Sequence, residues 1–89
     1  MSWGTKIEQE RRNRISLSLA AYSYEFCSHS IMSDGEYDEL SRLIDKGVKT
    51  GHKKLDNFFS TQFEPDTGMW IHKHPELNKI KVLYDKLYK

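Results

Sequence analysis

Cysteine, proline and glycine are scarce in this sequence, which has one, two and five of them in 89 residues. With Cys27 alone, no disulfide can form within the chain, so the disulfide frameworks of small secreted domains are excluded and a reducing compartment is expected. Cys27 follows Phe26 in an apolar stretch, and we expect it to be a small buried hydrophobic residue and not a reactive thiol.

An excess of charge of one sign is also lacking. Fourteen Lys and Arg against thirteen Asp and Glu give a formal net charge of +1, so no overall field would attract nucleic acid or an anionic membrane. Two local groups of basic residues remain, namely Lys6, Arg11, Arg12 and Arg14, and Lys46, Lys49, Lys53 and Lys54. We interpret both as solvated helix and loop surfaces, with nucleic-acid binding as the less favoured alternative.

Long hydrophobic runs are missing as well. No segment approaches the roughly 20 apolar residues that a membrane-spanning helix needs. The first residues carry charges where a secretion signal needs an apolar centre. We therefore expect a cytoplasmic protein that has no membrane partner.

Apolar residues recur at helical spacing in four segments, which predicts an all-α fold in a single domain. The predicted helices cover residues 5–27, 33–48, 53–63 and 75–88. The predicted buried face of the first helix consists of Ile15, Leu19, Tyr22 and Phe26. The short turn between the first two helices predicts an antiparallel helical hairpin, to which one or two further helices are added.

The second helix has a specific start signal. Ser33 followed three residues later by Glu36 is the capping-box pattern. Asp34, Tyr37 and Asp38 then stand at positions i, i+3 and i+4, so we expect their side chains on one face of this helix.

The segment before the last helix contains a predicted turn, 64–68, followed by Met69, Trp70 and Ile71. We expect this apolar patch to be exposed and available to a partner. Pro75 suits the first position of the last helix, because proline lacks an amide hydrogen that this position does not need.

The segment from Tyr22 to Asp45 resembles the N-terminal domain of the NAD-dependent bacterial DNA ligases. In that family a helical hairpin carries a Tyr-His pair on its first helix and an Asp-x-x-Tyr-Asp-x-Leu motif at the start of its second. The matching residues here are Tyr24 and, in the second motif, Asp34, Tyr37, Asp38 and Leu40. The resemblance implies a site for the nicotinamide mononucleotide half of NAD.

The residues that the resemblance assigns to this site are Tyr24, Glu25, Asp34, Tyr37 and Asp38. Phenol rings could stack on the flat nicotinamide cation, and carboxylates could complement its charge. Glu25 stands where the ligases have histidine, and an anion there would repel a phosphate. At 89 residues the chain has no room for the adenylation and OB-fold domains of a ligase, so no ligation follows from this chain alone.

Two other interpretations of these residues stay open at this point. Ser33, Asp34 and Glu36 could simply cap the second helix while Tyr24 and Tyr37 pack between helices. The second, which is our prediction for the function, is a non-catalytic interaction module, such as an accessory protein of a phage or other mobile element, that contacts a protein partner through the two tyrosines and the apolar patch. A binder of NAD or nicotinamide mononucleotide, alone or as part of a split enzyme, is the alternative to it.

Catalytic and metal motifs are weak. Lys54-Leu55-Asp56-Asn57 has asparagine where the Lys-x-Asp-Gly adenylation motif has glycine, so we interpret Lys54 as a surface lysine. His52, His72 and His74 could supply three nitrogen ligands, but no paired metal-binding spacing accompanies them. We therefore predict no catalytic residue and no metal site, and expect exposed histidines.

Overall fold

The computed structural model describes residues 5–64 and 68–88. Within these ranges the chain forms helices and no strand, which confirms the predicted all-α class. The elements are α1 (Lys6–Cys27), α2 (Asp34–Leu43), α3 (Lys53–Thr61), a 3₁₀-helix (Met69–Lys73) and α4 (Leu77–Tyr88). Of the turn predicted at 64–68, residues 65–67 lie outside the described ranges.

Helix α1 is the central element, because α2, α4 and the 3₁₀-helix all pack against it. It begins after Thr5, whose hydroxyl oxygen accepts a hydrogen bond from the Glu8 amide at 3.3 Å. It ends at Cys27, and the following residue, Ser28, has a left-handed backbone with φ of 52°. The amides of Ser28 and His29 both donate to the Ser23 carbonyl and close this end of the helix. Helix packing on several sides explains why every residue from Leu17 to Ser23 is buried.

The predicted buried face of α1 is only partly correct. Leu19 and Tyr22 are buried, but Ile15 and Phe26 are each 44% exposed. Cys27 is also exposed, contrary to its predicted burial. In the first half of α1 the buried residues are instead the charged Glu10 and Arg14. They can be buried because they have hydrogen-bond partners from elsewhere in the chain.

Arg14 is the centre of that buried polar network and is only 4% exposed. Its guanidinium donates to Glu10 at 2.6 Å and to Asp56 at 2.8 Å, and also to the carbonyl oxygens of Asp45 and Val48. The Phe59 ring lies 4.9 Å from the guanidinium carbon. The prediction that Arg14 belongs to a solvated basic surface is therefore wrong, whereas the other seven basic residues of those groups are exposed.

Asp56 completes the network from α3. The Thr50 amide and hydroxyl and the Arg14 guanidinium all donate to its carboxylate. Burial raises the pKa of this carboxyl, but the hydrogen bonds from Thr50 and Arg14 outweigh burial and lower the pKa to about 2. Arg14 and Asp56 thus attach α3 and the preceding loop to α1.

Helix α2 ends at Leu43 and does not continue to residue 48 as predicted. Ile44 leaves the helix with extended backbone and is buried. The Asp45 amide then donates to Glu10 at 3.0 Å, and the Asp45 carboxylate accepts from the Gly47 amide at 2.9 Å. These hydrogen bonds give the Asp45 and Gly47 amides partners outside the helix. The helix therefore ends at Leu43, although the apolar residues keep helical spacing as far as Val48.

Two further helix limits differ from the prediction. Helix α3 ends at Thr61, and Phe63 is buried just beyond it. Helix α4 begins at Leu77 and not at Pro75. Before it, the Glu76 amide donates to the His74 ring at 2.9 Å, so the chain forms a turn there.

An aromatic cluster fills the space under α3. Phe58, Phe59, Phe63, Trp70 and His74 lie with neighbouring ring centroids 5.0–6.1 Å apart. Trp70 is 3% exposed and Ile71 is fully buried, so the predicted exposed patch reduces to Met69 alone. His74 is buried as well, contrary to the expectation of exposed histidines. None of the helices in the described ranges has the length and hydropathy of a membrane span.

Candidate functional site

A cleft of about 440 Å³ opens between α1, α2 and the start of the 3₁₀-helix, and we name it the hairpin cleft. Its lining residues are Ala20, Ala21, Tyr24, Glu25, Ser30, Ile31, Met32, Asp34, Tyr37, Asp38, Gly68 and Met69. This volume falls within the range of roughly 300–1,000 Å³ that is usual for small-molecule sites.

All five residues that the sequence assigned to a site line the hairpin cleft. Tyr24 and Glu25 come from the last turn of α1, and Asp34, Tyr37 and Asp38 come from the start of α2. Helical spacing brings the latter three to the cleft together, because residues three and four apart share a face.

The start of α2 is fixed by the predicted capping box. The Glu36 amide donates to the Ser33 hydroxyl, and the Ser33 amide donates to the Glu36 carboxylate, both at 3.1 Å. These bonds to Ser33 hold the pKa of Glu36 below its usual value. Since Asp34 and Tyr37 follow directly, the cap also sets their position on the cleft wall.

Tyr37 is the half-buried ring of the cleft, whereas Tyr24 is 65% exposed at its rim. The Trp70 indole donates a hydrogen bond to the Tyr37 hydroxyl oxygen at 3.2 Å. Burial raises the pKa of Tyr37; the Trp70 bond lowers it, and the charges of Glu25 and Asp38 raise it further. The tyrosine is therefore a neutral, oriented wall of the cleft.

Glu25 has a specific partner outside the cleft. Its carboxylate lies 3.0 Å from Nε2 of His72, on the 3₁₀-helix. The His72 ring also packs on Phe26, with 4.7 Å between centroids. This contact ties the last turn of α1 to the 3₁₀-helix and orients the Glu25 carboxylate.

Small residues also line the cleft. Ala20 and Ala21 are buried on the α1 side. A Cβ atom at Gly68 would stand 3.6 Å from the Tyr37 hydroxyl and 3.8 Å from both Ala21 and Glu25. These are ordinary van der Waals distances, so a methyl group at Gly68 would occupy cleft space without forcing the backbone to move.

The charge of the cleft is one-sided. Glu25, Asp34 and Asp38 contribute three carboxylates, and among the described residues no lysine or arginine lines the cleft. Phenol faces and the thioether of the exposed Met69 add apolar and polarizable surface. Carboxylates beside aromatic rings attract a cation through charge and through the ring quadrupole. The arrangement is therefore suited to a positively charged group and unsuited to a phosphate.

The structure also shows where the other candidate residues lie. Asp56, of the motif compared with an adenylation site, is buried against Arg14. His72 contacts Glu25, whereas His52 and His74 contact Glu76. In the described part of the chain, no group of three His, Cys, Asp or Glu side chains is placed to hold a metal ion.

The sequence did not predict how three residues after α3 contribute to the site. Gly68, Trp70 and His72 shape or support the cleft, but they lie more than 30 residues beyond Tyr37 or Glu25 in the chain. An indole or imidazole at that separation gives no periodic signal. The sequence predicted a turn at 64–68 and named Trp70 only as part of the exposed apolar patch.

Comparison with known proteins gives no family for this chain. No protein-family model, no curated protein and no solved structure matches it.

Proposed function

We propose that the chain is a binding module, without catalysis of its own, whose hairpin cleft receives an arginine or lysine side chain of a partner protein. One observation carries the proposal. The cleft presents three carboxylates and two phenol rings, while its described lining contains no basic residue. The hairpin likeness to the DNA ligases and the accessory-protein role belong to the same proposal.

The rim of the cleft supports a protein partner. Tyr24 is 65% exposed and Met69 is 60% exposed, so both offer apolar contact area beside the acidic opening. Tyrosine and methionine are enriched in the centres of protein interfaces. A basic side chain entering between them would place its charge near Asp34 and Asp38 and its methylene groups against Met69.

The proposal can be tested with a minimal ligand. N-acetylarginine amide carries a guanidinium group and no other charge, and N-acetylcitrulline amide has nearly the same shape without the charge. We expect the arginine compound to shift the backbone amide signals of Tyr24, Asp34 and Asp38 with a dissociation constant on the order of 1 mM, about −4 kcal/mol. The citrulline compound should shift them far less.

A matched pair of variants identifies the site. Asp38→Asn removes a cleft carboxylate, whereas Glu39→Gln removes a neighbouring exposed carboxylate that does not line the cleft. The first should weaken arginine binding several-fold and the second should leave it nearly unchanged. Equal effects of both variants, or equal binding of the two compounds, would contradict the proposal.

A second candidate is a binder of NAD or nicotinamide mononucleotide, alone or as part of a split enzyme. The observation that favours it is that the five residues taken from the ligase resemblance line one cleft. In this case 1-methylnicotinamide, a flat cation, should bind better than neutral nicotinamide. Because the described lining offers no basic residue, the phosphate of the mononucleotide should weaken its binding relative to nicotinamide riboside.

A cytoplasmic location is part of the proposal. Cys27 is exposed, and the chain has no second cysteine for an internal disulfide. An exposed single thiol stays reduced in the cytoplasm, whereas an oxidising compartment would favour its pairing with other thiols.

A further inference from the structure

The pair of Glu25 and His72 joins the hairpin cleft to an imidazole on the 3₁₀-helix. Glu25 lines the cleft, and His72 Nε2 lies 3.0 Å from its carboxylate. The His72 side chain is 43% exposed, so protons reach it from solvent. Histidine is the side chain whose charge ordinarily changes between about pH 5 and 8.

Each element around this pair contributes charged groups. On α1, Glu25 is the direct partner of His72. On the 3₁₀-helix, Lys73 is the next residue in the chain. On α4, the charge of Asp85 acts on Tyr22, whose ring stacks on Phe26 under the imidazole. Across the cleft, α2 contributes Asp34 and Asp38.

We propose that His72 makes cation binding in the hairpin cleft dependent on pH, an inference that rests on the proposed function. When His72 is protonated, its positive charge is matched by Glu25, and an incoming guanidinium must compete for that carboxylate. When His72 is neutral, all three cleft carboxylates act on the ligand. Protonation of His72 therefore weakens binding.

The test is a titration of N-acetylarginine amide at pH 5.5 and pH 8, followed by amide shifts at constant ionic strength. Because the pair is partly exposed and screened, we expect binding to be about threefold weaker at the lower pH. His72→Gln keeps a side-chain donor without the titrating charge, and should remove most of this difference. His29→Gln makes the same change at another exposed histidine and should keep it.

Each outcome bears on a different claim. Equal binding at both pH values overturns the role of His72 and leaves the proposed function standing. Loss of the pH difference in His29→Gln, with its retention in His72→Gln, also overturns that role. Absence of binding at either pH overturns the proposed function and this inference with it.

Discussion

Acidification is predicted to destabilise this protein through His74. The imidazole is 7% exposed and lies against Phe58 and Phe59, with ring centroids 5.3 and 6.1 Å away. Its Nδ1 accepts a hydrogen bond from the Glu76 amide. Burial lowers the pKa of His74 from 6.5 to about 4, and the nearby Glu76 charge only partly opposes this effect.

The sign and size of the effect follow from proton linkage. The unfolded chain takes up a proton on this residue near its ordinary pKa, whereas the folded chain resists it until about pH 4. The contribution of His74 to stability is therefore complete above pH 6.5 and is lost as the pH falls toward 4. The shift corresponds to about 2 kcal/mol between pH 7 and pH 5, and to roughly 3 kcal/mol below pH 4.

The assay is urea unfolding followed by circular dichroism over this pH range at constant ionic strength. His74→Asn retains an acceptor near the Nδ1 position but cannot titrate, so its stability should vary by about 2 kcal/mol less between pH 7 and pH 5. His29→Asn is the matched exposed control and should follow the parent protein. If His74→Asn and the parent protein lose the same free energy in this window, the reasoning is refuted.

Three further predictions concern stability measured in the same way near pH 7. Asp56→Ala leaves the Arg14 guanidinium buried without its partner, so it should cost about 3–5 kcal/mol, and a loss under about 1 kcal/mol would contradict the buried network. Ser28→Gly should stabilise the chain by up to about 1 kcal/mol, because glycine adopts the left-handed backbone at φ 52° without strain, and any loss would count against this geometry. Ser41→Ala should be neutral or stabilising by about 1 kcal/mol, since the buried hydroxyl has no hydrogen-bond partner in the described part of the chain. Clear destabilisation by Ser41→Ala would indicate a partner for that hydroxyl.

Local signals in the sequence predicted the helical class and the start of α2. The capping box of Ser33 and Glu36 depends only on residues three apart, and the shared face of Asp34, Tyr37 and Asp38 depends only on helical geometry. The placement of Tyr24 in the same cleft required only a hairpin between the two helices. The resemblance to the ligase hairpin named the five cleft residues, and helical spacing independently placed only Asp34, Tyr37 and Asp38 on one face.

Long-range partners explain what the sequence did not predict. Arg14 and Asp56 are 42 residues apart, and each resembles an ordinary surface residue on its own. The i, i+4 spacing of Glu10 and Arg14 is the one local sign that these two residues form an ion pair. Likewise, Ile15 is apolar, as core residues usually are, but is 44% exposed. The buried partners of Arg14 fix which face of α1 turns toward the core.

The apolar segment after the turn shows a related effect. Trp70 and Ile71 are buried because Phe58, Phe59 and Phe63 from α3 meet them, which periodicity in one short segment cannot reveal. Their burial also places the Trp70 indole against Tyr37. The same packing thus completes the core and supports the wall of the cleft.

The central claim is that the hairpin cleft binds a cationic group. Titration of N-acetylarginine amide into the parent protein and into Gly68→Ala, whose added methyl group would lie beside Tyr37, Ala21 and Glu25, tests it most directly. We predict saturable amide shifts confined to the cleft residues and several-fold weaker binding in the variant, with unfolding free energy preserved. Shifts spread over the exposed carboxylates of the chain, or binding unaffected by Gly68→Ala, would contradict the claim.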